Sequence, residues 1–208
     1  MDPEAYNAIA EGPFAPLYPY YAGQIVAKTG IRTGIGLDAG CGGGHLGFAL
    51  AAITSLQLHL LDQSPEMLQL AQKNIAAREL GRRMQTLLGT VEAIPLPAES
   101  VDLVVSRGSL PFWEDLPRAF GEIYRVLKPG GHACVGGGLG TPEMRQKIQA
   151  QMREWNRDPS GREGAGFPRQ RDVNLYLEAL ATAGIRDCAV ARRDDGTWVE
   201  IRKNGRER

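Results

Sequence analysis

The sequence predicts an α/β fold: a doubly wound, mostly parallel sheet of seven strands with helices on both faces and a C-terminal antiparallel hairpin. Three observations carry this expectation. Short apolar strands alternate with helical segments along most of the chain. The stretch "LQLHLLD" has no clear polar face, as suits a parallel strand covered on both sides. Residues 34–51, "GIGLDAGCGGGHLGFALA", join a strand to a helix through a glycine-rich turn.

Taken in order, residues 1–30 read as an N-terminal arm. Pro13, Pro16 and Pro19 are expected to break any helix until about Tyr20, after which a short amphipathic helix reaches Lys28. "GIGLDAG" is the first strand, "GHLGFALAAI" its helix and "LQLHLLD" the second strand, ending at Asp62. The next helix has Ser64 as N-cap, Pro65 at the first helical position and Glu66 in the first turn, and Gly81 is expected to close it. "MQTLLGT" and "VDLVVSRG" are the third and fourth strands. "LPRAFGEIYRVLKPGG" is a helix ending at Pro129-Gly130-Gly131, before a fifth strand, "HACVGGG". A polar helix starts at Thr141-Pro142-Glu143, residues 159–170 read as a loop, and "RDVNLYLEALATAG" is a further helix. "CAVARRDDGTWVEIRK" is a hairpin turning at Asp195-Gly196. The domain reading is an arm over 1–30 followed by one domain over 31–208, with an insertion around 141–170.

Composition narrows the function. Lys+Arg and Asp+Glu are both 24, so the formal net charge is zero and the long-range field behind non-specific DNA binding is missing. The three cysteines, Cys41, Cys134 and Cys188, have no CxxC pairing, and a reduced compartment is expected. The start, "MDPEAYNAIAEG", is acidic and lacks the pattern of a signal peptide. The longest weakly polar stretch, residues 39–61, is too rich in glycine and too interrupted by His45, Gln57 and His59 to span a membrane. Cytoplasmic location follows as an expectation, with no membrane or nucleic-acid partner and no metal. Monomer and homodimer both stay open.

The glycine turn carries two overlapping fingerprints, G-x-G-x-G from Gly40 to Gly44 and G-x-G-x-x-G from Gly42 to Gly47. Both let backbone approach a ligand at a helix N-terminus. Asp38, immediately before the glycines, separates them: it would repel a pyrophosphate and attract a ligand bearing ammonium and sulfonium charges. This favours S-adenosylmethionine over a dinucleotide. No second glycine-rich turn follows for a second nucleotide.

"LDAGCGGGHLG", "LLDQSPEML", "GTVEAIPLPAESVDLVVSRGSLPFW" and "AFGEIYRVLKPGG" stand in the order and spacing of the class I S-adenosylmethionine-dependent methyltransferases. The chain resembles their small-molecule branch, which includes the ubiquinone/menaquinone-biosynthesis enzymes, over roughly residues 34–137. The resemblance implies a Rossmann-like sheet and the cofactor S-adenosylmethionine. It implies that Asp38, Gly40, Gly42 and Gly44 lie at the methionine part, that Asp62 accepts both ribose hydroxyls, and that Gln63 and Met67 flank the adenine. The family usually has Gly-Asp-Ala-Glu where this chain has Gly-Thr-Val-Glu. Adenine recognition therefore falls to the Thr90 hydroxyl, to backbone at Val91, or to Glu92. Ser106 and Arg107 follow the fourth strand: their backbone faces the methionine moiety, and the Arg107 side chain reaches either an acidic substrate group or a neighbouring carboxylate.

Methyl transfer from a sulfonium needs positioning and exclusion of water more than a dedicated residue, so the acceptor is hard to read. The chain lacks the Asn/Asp-Pro-Pro-aromatic turn of base and glutamine methylation, the converging thiols of arsenite methylation and the carboxylate cluster of metal-dependent catechol methylation. A small-molecule acceptor is expected. Its candidate walls are Phe14, Tyr18, Tyr20 and Tyr21 from the arm, read as a lid, with Phe112, Trp113, Trp155 and Phe167. Tyr18 is expected to face the methyl group. His45 reads as a base, as a contact to the methionine carboxylate, or as an exposed helix-start residue. His59 reads as structural, and His132 as lying near the active edge. The competing functions are a non-catalytic S-adenosylmethionine-binding sensor or scaffold and a nucleotide-dependent dehydrogenase.

Overall fold

The computed structural model describes residues 2–155 and 172–205. Strands β1 (Ile35–Ala39), β2 (Gln57–Asp62), β3 (Met84–Leu88), β4 (Val101–Arg107), β5 (Leu127–Gly137), β6 (Cys188–Arg193) and β7 (Gly196–Arg202) form one sheet in the order β3-β2-β1-β4-β5-β7-β6. Strands β1 to β5 pair in parallel, while β7 runs antiparallel to both β5 and β6. The chain winds outward from β1 to β3, then crosses back to place β4 on the other side of β1. That reversal opens a crevice at the carboxyl ends of β1 and β4, where open α/β sheets bind ligands.

Helices α1 (Pro3–Glu11), α2 (Leu17–Thr29), α3 (His45–Ile53), α4 (Pro65–Ala77), α5 (Leu116–Val126), α6 (Pro142–Trp155) and α7 (Val173–Thr182) surround the sheet. Alternation along the strands divides the core in two. Leu58, Leu60, Leu103 and Val105 face α2, α3 and α4, whose contributions include Ile25, Leu50 and Ala71. Leu37, Leu61, Val104 and Val135 face α5 and α7 through Phe120, Ile123 and Leu180. The Ser64 cap is as the sequence predicts, its hydroxyl accepting from the Met67 N–H at 3.2 Å.

Several boundaries differ from the sequence reading. The arm holds two helices where one short helix from about Tyr20 was expected. Asp2 caps α1 by accepting from the Ala5 N–H at 2.9 Å, and Pro3 occupies the first helical position. Pro16 is the N-cap of α2 and Pro19 falls in its first turn, where an amide has no partner inside the helix and a missing N–H costs nothing. The prolines therefore start the helix instead of breaking it. Helix α4 stops at Ala77 with Arg78 as its cap, short of Gly81. Likewise α5 stops at Val126, and β5 already includes Pro129-Gly130-Gly131, earlier than the expected start at His132. His132 pairs with Leu103 in the first half of β4, away from the carboxyl edge at which Arg107 pairs with Gly136. It does not lie near the active edge.

The hairpin turns as expected, with Arg193 opposite Gly196. It passes so close to the end of β5 that a Cβ on Gly136 would stand 2.2 Å from the Thr197 carbonyl oxygen, and one on Gly138 1.9 Å from that of Asp195. The glycine run after Val135 thus makes room for the hairpin. The 159–170 loop, Phe167 and the Trp155 side chain lie outside the description. Among the described residues no helix is long and apolar enough to cross a membrane.

Phe120 is fully buried between α5 and the sheet and meets the Trp113 ring edge-on at 6.0 Å. Phe120→Ala is expected to lower the unfolding free energy by about 3–5 kcal/mol in urea titrations, with the tryptophan fluorescence of the folded state altered by the lost contact.

Candidate functional site

The crevice is built on the glycine turn. Gly40, Gly42 and Gly44 have φ of 70°, 52° and 87°, a region open to glycine at little cost. The turn is fixed to β2 by three backbone donors. Gly40 and Cys41 N–H both donate to the Leu61 carbonyl, at 2.8 and 2.9 Å, and Gly42 N–H donates to Asp62 Oδ2 at 2.8 Å. From the other side, Asn74 of α4 donates to the Gly43 carbonyl at 3.0 Å. Asp62 Oδ1 accepts from Ser64 N–H at 3.0 Å. Each oxygen of this half-buried carboxylate thus meets one backbone donor, and a carboxylate has about four acceptor sites.

Asp38 is buried, and its Oδ2 accepts from the Gly47 N–H in the first turn of α3 at 3.0 Å. Burial pushes its carboxyl up to about 7, and the nearby Asp62 charge adds to the rise while the Gly47 N–H opposes it. Two carboxylates therefore flank the helix start, and one of its donors is already engaged. A pyrophosphate does not suit such a site; a cationic nucleoside does. This donor set fits S-adenosylmethionine.

Gln63 is exposed and Met67 half-buried beside Asp62. Thr90 pairs with Ala93, while the Val91 side chain enters the core with Ile94. Glu92 Oε1 accepts from Glu114 N–H at 3.1 Å, and its carbonyl accepts from Arg118 Nε at 2.8 Å. Ser106 is buried, its hydroxyl 2.5 Å from that of Ser109, which in turn donates to the Ala39 carbonyl at 3.1 Å. Trp113 donates from its indole to Ser109 Oγ at 3.1 Å and is 5% exposed, packed in the core. Phe112 is exposed.

The arm lies across the turn. A Cβ on Gly42 would stand 2.7 Å from the Tyr6 hydroxyl, which places this phenol against the glycine loop. Tyr18 stacks on the His45 ring at 5.2 Å, and His45 Nε2 meets Asn7 Oδ1 at 3.1 Å. His45 is buried, which removes the exposed reading; burial lowers its imidazole to about 4. Burial also raises both the Tyr6 and Tyr18 phenols. Tyr21 is a bracket rather than a wall: it donates to the Asp195 carbonyl at 2.5 Å and accepts from Gly140 N–H at 2.9 Å. Tyr20 turns toward Asp195 Oδ2, at 3.4 Å. Phe14, Tyr18 and Tyr21 surround the Arg107 guanidinium, with ring centroids 5.0, 5.3 and 5.7 Å from Cζ. Tyr6 and Asn7 escaped the sequence reading. The cue was present in Asp2-Pro3-Glu4, a helix-start pattern that would have put Tyr6 on an ordered helix.

The fold and this crevice define a nucleoside-binding α/β protein whose glycine turn suits a cationic ligand. Residues 37–135 match the Methyltransferase domain family. A Methanococcus maripaludis protein assigned to the S-adenosyl-L-methionine-dependent methyltransferases is 38% identical. Its crystal structure superposes with a TM-score of 0.89, covering 99% of this chain and 93% of that one. A chloroplastic 2-methyl-6-phytyl-1,4-hydroquinone methyltransferase of Oryza sativa subsp. japonica is 30% identical over 167 residues, 78% of this chain and 45% of the relative. A malonyl-[acyl-carrier protein] O-methyltransferase of Methylovorus sp. is 39% identical over 127 residues, 58% of this chain and 41% of the relative. The chain thus spans less than half the length of these curated relatives. It belongs to the S-adenosyl-L-methionine-dependent methyltransferases.

Asp38 and His45 give opposite pH dependences. Folded Asp38 holds its proton more tightly than the unfolded chain, so its stabilising contribution is complete below the ordinary 3.8 and lost as pH rises to about 7. Folded His45 disfavours its proton, so its contribution is complete above 6.5 and lost as pH falls to about 4. Between these limits the two slopes oppose each other. In urea unfolding between about pH 4.5 and 6.5, stability relative to wild type should rise with pH in Asp38→Asn and fall in His45→Gln; equal profiles for the two variants would contradict the assignment.

Proposed function

We propose that the chain is an enzyme that transfers a methyl group from S-adenosylmethionine to a small-molecule acceptor, acting in the cytoplasm. The observation that carries the reading is the Asp62 carboxylate at the end of β2, beside the glycine turn and beneath the aromatic residues of the arm. When bound, the cofactor supplies an electrophilic methyl on a sulfonium whose charge is neutralised as the methyl leaves.

The chain's own residues bind and enclose. Gly40, Gly42 and Gly44 present backbone beneath the methionine part, and Asp62 accepts from the ribose hydroxyls with its remaining lone pairs. Gln63 and Met67 flank the adenine, with the Thr90 hydroxyl, the backbone at Val91 or the free Oε2 of Glu92 at its edge. Ser106 contributes backbone at the methionine end, while its hydroxyl stays within the Ser109 network.

Residues 1–30 serve as a lid on a domain that runs from 31 to 208. Tyr6 and Tyr18 exclude water from the transfer, which raises the value of positioning. Because burial raises its phenol, Tyr18 is protonated at neutral pH and orients the acceptor as a hydrogen-bond donor, not as a base. His45 is neutral there and acts by holding Tyr18 and Asn7 in place. Proximity and desolvation supply the rate.

Calorimetric titration should show binding of S-adenosylmethionine and S-adenosylhomocysteine and none of NADH. Asp62→Ala should weaken the first two by about 1–3 kcal/mol, the scale for charged hydrogen bonds. Unchanged affinity would displace the ribose from Asp62, and preferential NADH binding would overturn the cofactor reading.

A further inference from the structure

Arg107 stands at the carboxyl end of β4 as a cation. Among the described residues no carboxylate pairs with it. Its Nη2 donates to the Gly138 carbonyl at 3.0 Å, while its Nε is buried with no hydrogen-bond partner. The rings of Phe14, Tyr18 and Tyr21 enclose it on the arm side. The Tyr18 hydroxyl also bonds with the guanidinium, yet it and the aromatic faces offset only part of the lost hydration and leave Nε without an acceptor. An N–H left unpaired in such a place costs free energy until an acceptor arrives.

We propose that Arg107 docks a carboxylate carried by the methyl acceptor, which makes the substrate class a small monocarboxylic acid. The inference rests on the methyltransferase reading and narrows its acceptor. Three features point to this class. The guanidinium lies where the phenols of Tyr6 and Tyr18 both feel its charge, beside the glycine turn. The same phenols feel one carboxylate, Asp38, so a single positive charge shares the space with a negative one. One cation beside an acidic group suits a monoanion and disfavours a phosphate dianion. The residues around the guanidinium are aromatic and the unpaired donor is an edge of a planar fork, which matches a planar carboxylate on an apolar body.

The test uses the full chain saturated with S-adenosylhomocysteine, with sodium benzoate, neutral benzamide and inorganic phosphate as probes, followed by ligand-observed NMR titration. Benzoate should bind saturably and at least about tenfold more tightly than benzamide or phosphate. Arg107→Gln should remove that preference while S-adenosylhomocysteine affinity stays within about twofold, and Arg107→Lys should restore part of it. Retained S-adenosylhomocysteine binding reports that each variant is folded. Equal binding of benzoate and benzamide, no binding of either, or a preference for phosphate would overturn the proposal. So would loss of S-adenosylhomocysteine affinity in both folded variants by circular dichroism, because Arg107 would then hold the cofactor's own carboxylate. Failure of wild-type protein to bind S-adenosylhomocysteine would instead defeat the methyltransferase reading beneath it.

Discussion

The Leu61 carbonyl oxygen takes two N–H groups at once, from Gly40 and Cys41, and the adjacent Asp62 carboxylate takes a third from Gly42. These bonds fold the exit of β1 onto the exit of β2. They settle three backbone donors that would otherwise be orphaned in a buried turn, and they aim α3 so that its first turn meets Asp38. The crevice is therefore a property of the chain itself. Without that clasp, Ser109 would lose the Ala39 carbonyl it bonds and Tyr6 the Gly42 surface against which it rests.

Much of this was legible in the sequence, because the parallel sheet writes itself in local signals. Strand, glycine turn and capped helix recur with residues whose roles are short-range: Ser64 before Pro65, Asp195 before Gly196, the apolar run of β2. What escaped depends on long-range packing. Pro16 and Pro19 look like breakers until their place in the first turn of α2 is known. Trp113 looks like a substrate wall by position, and only its bond to Ser109 and its contact with Phe120 show it to be core. Glu92 carries the family motif, and one of its oxygens also takes a backbone amide 22 residues away in sequence. No pattern within a window of a dozen residues contains that information.

The electrostatic character of the crevice follows from enclosure. Burial holds the Asp38 carboxyl near neutrality, strips His45 of charge and keeps the arm phenols protonated. Arg107 stands at the β4 end and the carboxylates of Asp38 and Asp62 at the exits of β1 and β2. Charges of opposite sign thus face each other across the carboxyl edge of the sheet.

The Tyr21 hydroxyl spans the Asp195 carbonyl and the Gly140 amide, and Lys28 pairs with Glu200, so the helix that roofs the crevice is anchored to the β6–β7 hairpin. This has a consequence for biogenesis. The ribosome releases α2 early and the hairpin roughly 170 residues later, at rates of about 5–20 residues per second. For several seconds the nascent sheet has its glycine clasp and the packing of α2 on α3, but not the bonds that tie α2 to the hairpin. The second anchorage of α2 is thus deferred until the hairpin has been synthesised and has paired with β5.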